Sequence, residues 1–225
     1  SMTTARAWIS GCSGLRLTAD EKAFFAETRP WGFILFGRNI SEAGQVRDLV
    51  ADLKEAGGRT HVPILIDQEG GRVQRLRPPL SPRFPPSAAI GEVYGRDREA
   101  GLRAAWLQGR LLAHDLLVGF GINVDCLPCL DVPQSGAHSV IGDRAYSADP
   151  RVVAELGRAA AQGLMAGAVL PVMKHIPGHG RGNADSHLEL PHVDASHEDL
   201  ATHDFPPFKS LSDLPAGMTA HLLFD

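Results

Sequence analysis

Fourteen residues, Lys174 to His187, gather a lysine, three histidines and an aspartate between glycines and one proline. They read Lys174-His175-Ile176-Pro177-Gly178-His179-Gly180, followed after a short gap by Asp185-Ser186-His187. Such residue types do two kinds of chemistry, metal ligation and proton transfer. His175 and His179 are four apart, the spacing that sets two imidazoles on one helical face. Pro177 and Gly178 lie between them, however, and proline disfavours a helical residue before it. No glutamate follows the first histidine either, so no metal is expected here. Asp185 and His187 lie two apart in a loop, close enough for the carboxylate to hold one ring nitrogen and leave the other for a substrate. A carboxylate partner favours imidazolium and fixes the tautomer, which suits a ring that gives up a proton and recovers it near neutral pH. The same spacing fits a solvated loop histidine beside an Asp cap, and both readings stand on spacing alone.

These residues need a frame. Ala168 to Met173 is an apolar run that reads as a buried strand, which places the polar cluster at its C-terminal end. Parallel α/β proteins hold ligands there, on loops fixed by a rigid sheet. The pattern recurs. Gly32 to Phe36 is continuously apolar and closed by Gly37-Arg38-Asn39, and Val62 to Ile66 runs into Asp67-Gln68-Glu69-Gly70-Gly71-Arg72-Val73-Gln74-Arg75. Gly121 to Asp125 begins another strand, followed by a polar loop from Asp131 to Asp149 that holds Gly142-Asp143-Arg144. Ala7 to Cys12 is a candidate first strand, and Gly217 to Phe224, with Met218-Thr219-Ala220-His221, a last one.

Helical signals separate the strands. Thr18 and Glu21 form a capping box that opens a helix to about Glu27. Ser41 is expected to cap the next, whose Val46, Leu49, Val50 and Leu53 make one apolar stripe and which ends at Gly57-Gly58. Pro78, Pro79, Pro82, Pro85 and Pro86 then exclude helix and central strand over a long loop. A helix is expected from Glu99 to about Val118 with Leu102, Trp106 and the later leucines inward. Pro150 opens another that carries Val152, Val153, Leu156 and Ala160, and Ser196 to His203 also looks helical.

Near-continuously apolar strands alternating with helices imply βα units and a parallel sheet. No GxGxxG or Walker loop follows any strand, so no nucleotide cofactor is expected and a nucleotide-binding open sheet loses its main support. Polar residues at several strand ends (Asp67, Asp125 with Asp131, Lys174 with His175, His221) match a (β/α)₈ TIM barrel. About six strands can be counted against the eight such a barrel needs, so the barrel looks cut short.

The composition is that of an ordinary globular protein: 225 residues, 44% hydrophobic, 21% charged, net charge −4. No linker divides residues 1–225, so one domain is expected, with no nucleic-acid partner and no membrane segment. Ser1-Met2 reads as a tag scar, and a cytoplasmic location is the default expectation. Cys126 and Cys129 have CxxC spacing but no second ligand pair, and read as small apolar fillers near a strand end.

Several segments together resemble a known family. Ile34-Leu35-Phe36-Gly37-Arg38-Asn39-Ile40, Ile66 to Val73, Gly121 to Asp125, Lys174 to Gly180 with Asp185-Ser186-His187, and Met218 to His221 occur in this order in bacterial β-N-acetylhexosaminidases of glycoside hydrolase family three, the NagZ type. The resemblance implies a (β/α)₈ barrel that removes terminal β-linked N-acetylglucosamine from muropeptide fragments by a two-step retaining mechanism, without a cofactor. It implies that His187 is the general acid/base, that Asp185 orients it, and that Asp67, Arg75, Arg144, Lys174 and His175 hold the sugar. Arg72 has two readings, a solvated turn or a salt bridge to Glu69. A β-N-acetylglucosaminide phosphorylase and a non-catalytic sugar-binding fragment are the alternatives. The family's nucleophilic aspartate lies in an S-D-D-type segment after the Met-Thr-Ala-His strand, and no residue of the 225 matches it. The chain alone is therefore expected to be an inactive N-terminal portion of a longer enzyme.

Overall fold

A computed structural model describes residues 6–133 and 141–175. His187, Asp185, His179 and His221, and the segments expected at 196–203 and 217–224, lie outside the described residues.

Five strands form one parallel sheet in sequential order: β1 (Arg6–Ser10), β2 (Pro30–Leu35), β3 (Ile64–Ile66), β6 (Val124–Asp125) and β7 (Leu170–Pro171). Each neighbouring pair is parallel, with Phe33 beside Ile64, Leu65 beside Val124, and Val124 beside Leu170. Alternation along the strands sends side chains to two cores. Phe33, Leu35, Ile64 and Ile66 pack against Val46, Leu49, Val50 and Leu53 of α2 (Ala43–Gly57). Leu65, Val124, Cys126 and Val172 meet on the opposite face, with Ile9, Ile34 and Leu170 packed against them. A sheet buried on both faces explains strands with no polar alternation.

Between β1 and β2 runs α1 (Ala19–Thr28), opened by the expected reciprocal cap of Thr18 and Glu21. The apolar stripe of α2 is buried as expected, and Gly58 closes the helix at φ 66°, a conformation glycine adopts without strain. Ser41 is not its cap. Glu42 takes that place, its carboxylate accepting from the Gln45 amide at 2.7 Å, because a charged acceptor one residue nearer the helix satisfies the free N–H.

Two elements went unread in the sequence. A small antiparallel hairpin, β4 (Gln68–Gly70) and β5 (Val73–Gln74), is built inside the glycine-rich loop after β3, and α3 (Ser87–Arg96) begins directly after Pro86. The helix expected from Glu99 to Val118 is α4 (Arg98–Ala113), continued by a π turn at His114–Val118. Its orientation corrects the expectation. Trp106 is 40% exposed, and Leu107 and Leu111 also face outward. Leu102 is half-buried and Leu112 and Leu116 are buried as expected, but the face against α5 (Pro150–Ala166) is mostly small: Gly101, Ala105, Gln108, Gly109, Leu112 and Ala113. A Cβ at Gly109 would lie 2.2 Å from the Ala160 carbonyl oxygen, and one at Gly163 would lie 2.0 Å from that of Trp106. The two backbones approach so closely that only small residues fit, which turns Trp106 away.

Among the described residues no helix is long and apolar enough to cross a membrane.

Candidate active site

The site is a buried ionic cluster at the ends of β3, β6 and β7. Asp67 is the residue after β3. Beyond β7 the chain stays extended: Val172 N–H donates to the Asp125 carbonyl, Lys174 N–H to that of Pro128, and Leu130 N–H to that of Lys174. This pairing fixes Lys174 and His175 beside Asp67. Glu69 comes from β4, where Asp67 and Glu69, two apart in extended chain, share a face. Arg144 comes from a single 3₁₀ turn, Gly142–Arg144.

The Lys174 ammonium bridges both carboxylates, Nζ to Asp67 Oδ1 at 2.8 Å and to Glu69 Oε2 at 2.5 Å. Arg144 engages Glu69 with two nitrogens, Nε to Oε1 at 3.1 Å and Nη2 to Oε2 at 2.8 Å, the fork geometry that suits guanidinium and carboxylate. Arg75 Nη2 lies 3.7 Å from Asp67 Oδ2. Glu69 and Arg144 are each 2% exposed at the side chain.

Burial disfavours charge on Lys174, but the carboxylates of Asp67 and Glu69 outweigh it and raise its pKa. Burial likewise pushes Glu69 up, and the charges and hydrogen bonds of Lys174 and Arg144 more than reverse this, so it stays below its ordinary value. Asp125 goes the other way. Its Oδ1 accepts from Gln68 N–H at 3.1 Å while Oδ2 has no hydrogen-bond partner among the described residues, and burial lifts its pKa well above the ordinary carboxylate range.

His175 sits beside the cluster. Its Nδ1 donates to Asp131 Oδ2 at 2.5 Å, and its Nε2 faces Arg144 Nη2 at 3.4 Å. The carboxylate on one nitrogen and the guanidinium on the other fix the tautomer with the proton on Nδ1. Cys129 Sγ also donates to Asp131 Oδ2 at 3.2 Å. Cys129, Asp131 and His175 thus place three potential metal-ligand atoms within 4.8 Å of one another, already joined by hydrogen bonds. Burial pushes the Cys126 and Cys129 thiols well above their ordinary value, in keeping with their reading as small buried fillers.

Two glutamines hold the hairpin in place. Gln68 Nε2 donates to the Leu76 carbonyl and its Oε1 accepts from Leu76 N–H. Gln74 Nε2 donates to the carbonyls of Leu76 and Pro82, and its Oε1 accepts from Phe84 N–H. From α4, Gln108 donates to the Glu69 carbonyl at 2.7 Å. The proline-rich stretch is thereby an ordered wall, not a free loop.

Five of the seven residues expected at a site therefore meet: Asp67, Arg75, Arg144, Lys174 and His175. Arg72 stands apart, half exposed and paired with Asp143 at 3.2 Å. Glu69, which joins Lys174 to Arg144, was missed as a site residue; its place two positions after Asp67 in an extended segment is the signal that could have found it. An ordered set of donors and acceptors of this kind can hold a polyhydroxylated ligand, with carboxylates accepting from hydroxyls and the cations donating.

The sequence profile described as the glycosyl hydrolase family 3 N terminal domain matches residues 8–225. A Beta-hexosaminidase of Methylococcus capsulatus is 41% identical over 213 residues, which is 94% of this chain and 61% of that protein. One from Bordetella avium is 39% identical, over 94% of this chain and 60% of its own length. Among solved structures, NagZ from Neisseria gonorrhoeae in complex with N-trifluoroacetyl-D-glucosamine superposes with a TM-score of 0.79 at 35% identity, covering 92% of this chain and 60% of that one. A glycoside hydrolase family 3 beta-N-acetylglucosaminidase from Paenibacillus gives 0.75 at 32% identity, over 91% and 38%. The chain thus spans about 61% of the length of the curated relative at 41% identity.

Proposed function

The chain belongs to glycosyl hydrolase family 3, and we propose that it carries the sugar-binding half of a β-N-acetylhexosaminidase that removes terminal β-linked N-acetylglucosamine. The observation that carries this reading is the Asp67–Lys174–Glu69–Arg144 cluster, built at the C-terminal ends of parallel strands from three separate segments. A relative solved with an N-acylated glucosamine supports the ligand class. Asp67 and Arg75 offer an acceptor and a donor side by side for neighbouring hydroxyls, and Lys174 and Arg144 hold the carboxylates in place without bulk solvent. His175, its ring fixed by Asp131, packs against Arg144 and keeps the guanidinium aimed at Glu69.

The sheet supports a barrel. Its five strands run in sequential order without the reversal that an open doubly wound sheet requires, and both faces are filled by side chains. In this reading residues 1–225 are one catalytic domain, the N-terminal part of a TIM barrel, acting in the cytoplasm on N-acetylglucosaminyl muropeptide fragments. His187 donates the proton to the glycosidic oxygen and later takes one from water, and Asp185 orients its ring. No residue of the chain is assigned the nucleophile.

The test is hydrolysis of p-nitrophenyl N-acetyl-β-glucosaminide by the full-length protein. His187→Ala and Asp185→Ala are each expected to lower turnover by about 10²–10⁴-fold. Wild-type turnover in both variants would reject the acid/base assignment.

A further inference from the structure

The hairpin that carries Glu69 toward the cluster and the stretch after it line a cavity of about 260 Å³, with Gly71, Arg72, Gln74, Arg77 and Arg83. Three exposed arginines line this space, and no acidic residue is among its lining residues. Arg72 has its own partner outside, Asp143. Among the described residues Arg77 Nε donates to the Gln74 carbonyl, at 3.0 Å. Arg83 makes no ion pair or hydrogen bond among the described residues. Arg77 and Arg83 have no counter-ion among the described residues, and the chain is acidic overall at −4, so this local positive charge is not a reflection of composition.

Their backbone is fixed in advance. Gln74 grips Pro82 and Phe84, the residues on either side of Arg83. Leu80 N–H and Ser81 N–H both donate to the Arg77 carbonyl, and the Ser81 hydroxyl donates to Asp115 at 2.9 Å. A loop ordered before a ligand arrives spends little of the binding energy on its own ordering. Guanidinium forks match the two oxygens of a carboxylate or phosphate, and a cavity this small admits one such group with a few attached carbons.

The cavity and the sugar cluster draw on neighbouring residues of the chain. Gln74, on its wall, adjoins Arg75, which faces Asp67; Arg72 pairs with Asp143, the neighbour of Arg144. We infer that the Arg77–Arg83 cavity is an anion subsite that takes a carboxylate or phosphate carried on the group joined to the sugar. This assignment rests on the hydrolase reading above.

The test uses the full-length protein and two N-acetyl-β-glucosaminides, one with a neutral nitrophenyl leaving group and one whose leaving group bears a carboxylate. In the Arg77→Gln/Arg83→Gln variant, KM for the carboxylate glycoside is expected to rise about tenfold with kcat unchanged, and the constants for the neutral glycoside to stay at wild-type values. The wild-type preference should also fall as salt is raised to about 0.5 M. If the variant handles both glycosides as the wild type does, the subsite is rejected. Titration with inorganic phosphate separates the sources: phosphate binding lost in the variant while both glycosides are unaffected shows a free-anion site and overturns the link to the substrate. If the wild type hydrolyses neither glycoside, it is the hydrolase reading that fails, and calorimetric binding of N-acetylglucosamine derivatives with and without a carboxylate makes the same comparison.

Discussion

Lys174 is the residue on which the cluster balances, since its ammonium touches both Asp67 and Glu69. Removing one partner of a buried charge set is far more damaging than never having built it, because the remaining charges stay desolvated. Lys174→Ala should therefore lower unfolding free energy by about 3–5 kcal/mol, read from urea denaturation, as well as abolish sugar binding. The pH dependence follows from the directions. Glu69 is held below its ordinary 4.5, so its contribution is present above that value and is lost as the pH falls through the lower folded-state value. Lys174 is held above 10.5, so its contribution is present below that value and is lost as the pH rises through the higher one. Thermal melts should show the cluster intact between these limits and loosening on either side. Asp125 has the opposite sign to Glu69: the fold favours its neutral form, so it costs stability as the pH climbs past 3.8, where the unfolded chain ionises. Asp125→Asn keeps an acceptor for Gln68 N–H and should gain about 1 kcal/mol at pH 7 and nothing near pH 3. An advantage that does not grow with pH would show that the buried carboxyl is not protonated.

At the scale of elements, the seam between α4 and α5 is set by glycines that admit no side chain. Gly109→Val would drive a branched group into the Ala160 carbonyl and should cost about 1–3 kcal/mol through separation of the two helices, measurable as a lowered Tm. The same seam explains what the sequence hid. Wherever packing uses large apolar residues at helical spacing, as in α2, the pattern names both the helix and its buried face. In α4 the face against α5 is largely glycine and alanine, which carry little hydrophobic signal, and Trp106, Leu107 and Leu111 were wrongly expected inward along with the buried Leu112. The β4–β5 hairpin escaped notice because its strands are two and three residues long and its order comes from Gln68 and Gln74 bonding to the loop backbone, a tertiary effect that no local pattern announces. Site residues at strand ends were legible because an apolar run ending abruptly in Asp or Lys-His is itself the signal. Glu69 was not, since it lies one step inside that unread hairpin.

Over the described molecule, α4 ties the cores together. Ala105 packs in the cluster with Leu156 and Val153, while Leu112 and Leu116 pack in the one with Leu35 and Leu49. Leu112→Ala and Leu156→Ala, in different cores, should each cost about 2–5 kcal/mol, and hydrogen exchange of β2 and α5 amides should slow or quicken together in both variants. Independent exchange in the two regions would show that the helix does not couple them. One more property follows from the three cysteines, all of them buried. The attacking species of a thiol is its anion, and here burial pushes Cys12 up to about 11 and Cys126 and Cys129 well above 9.0. The intact fold should ignore a disulfide dye at pH 8, then release three equivalents of colour when urea opens it. The chain thus carries its own stopwatch for opening, readable at the bench without any added label.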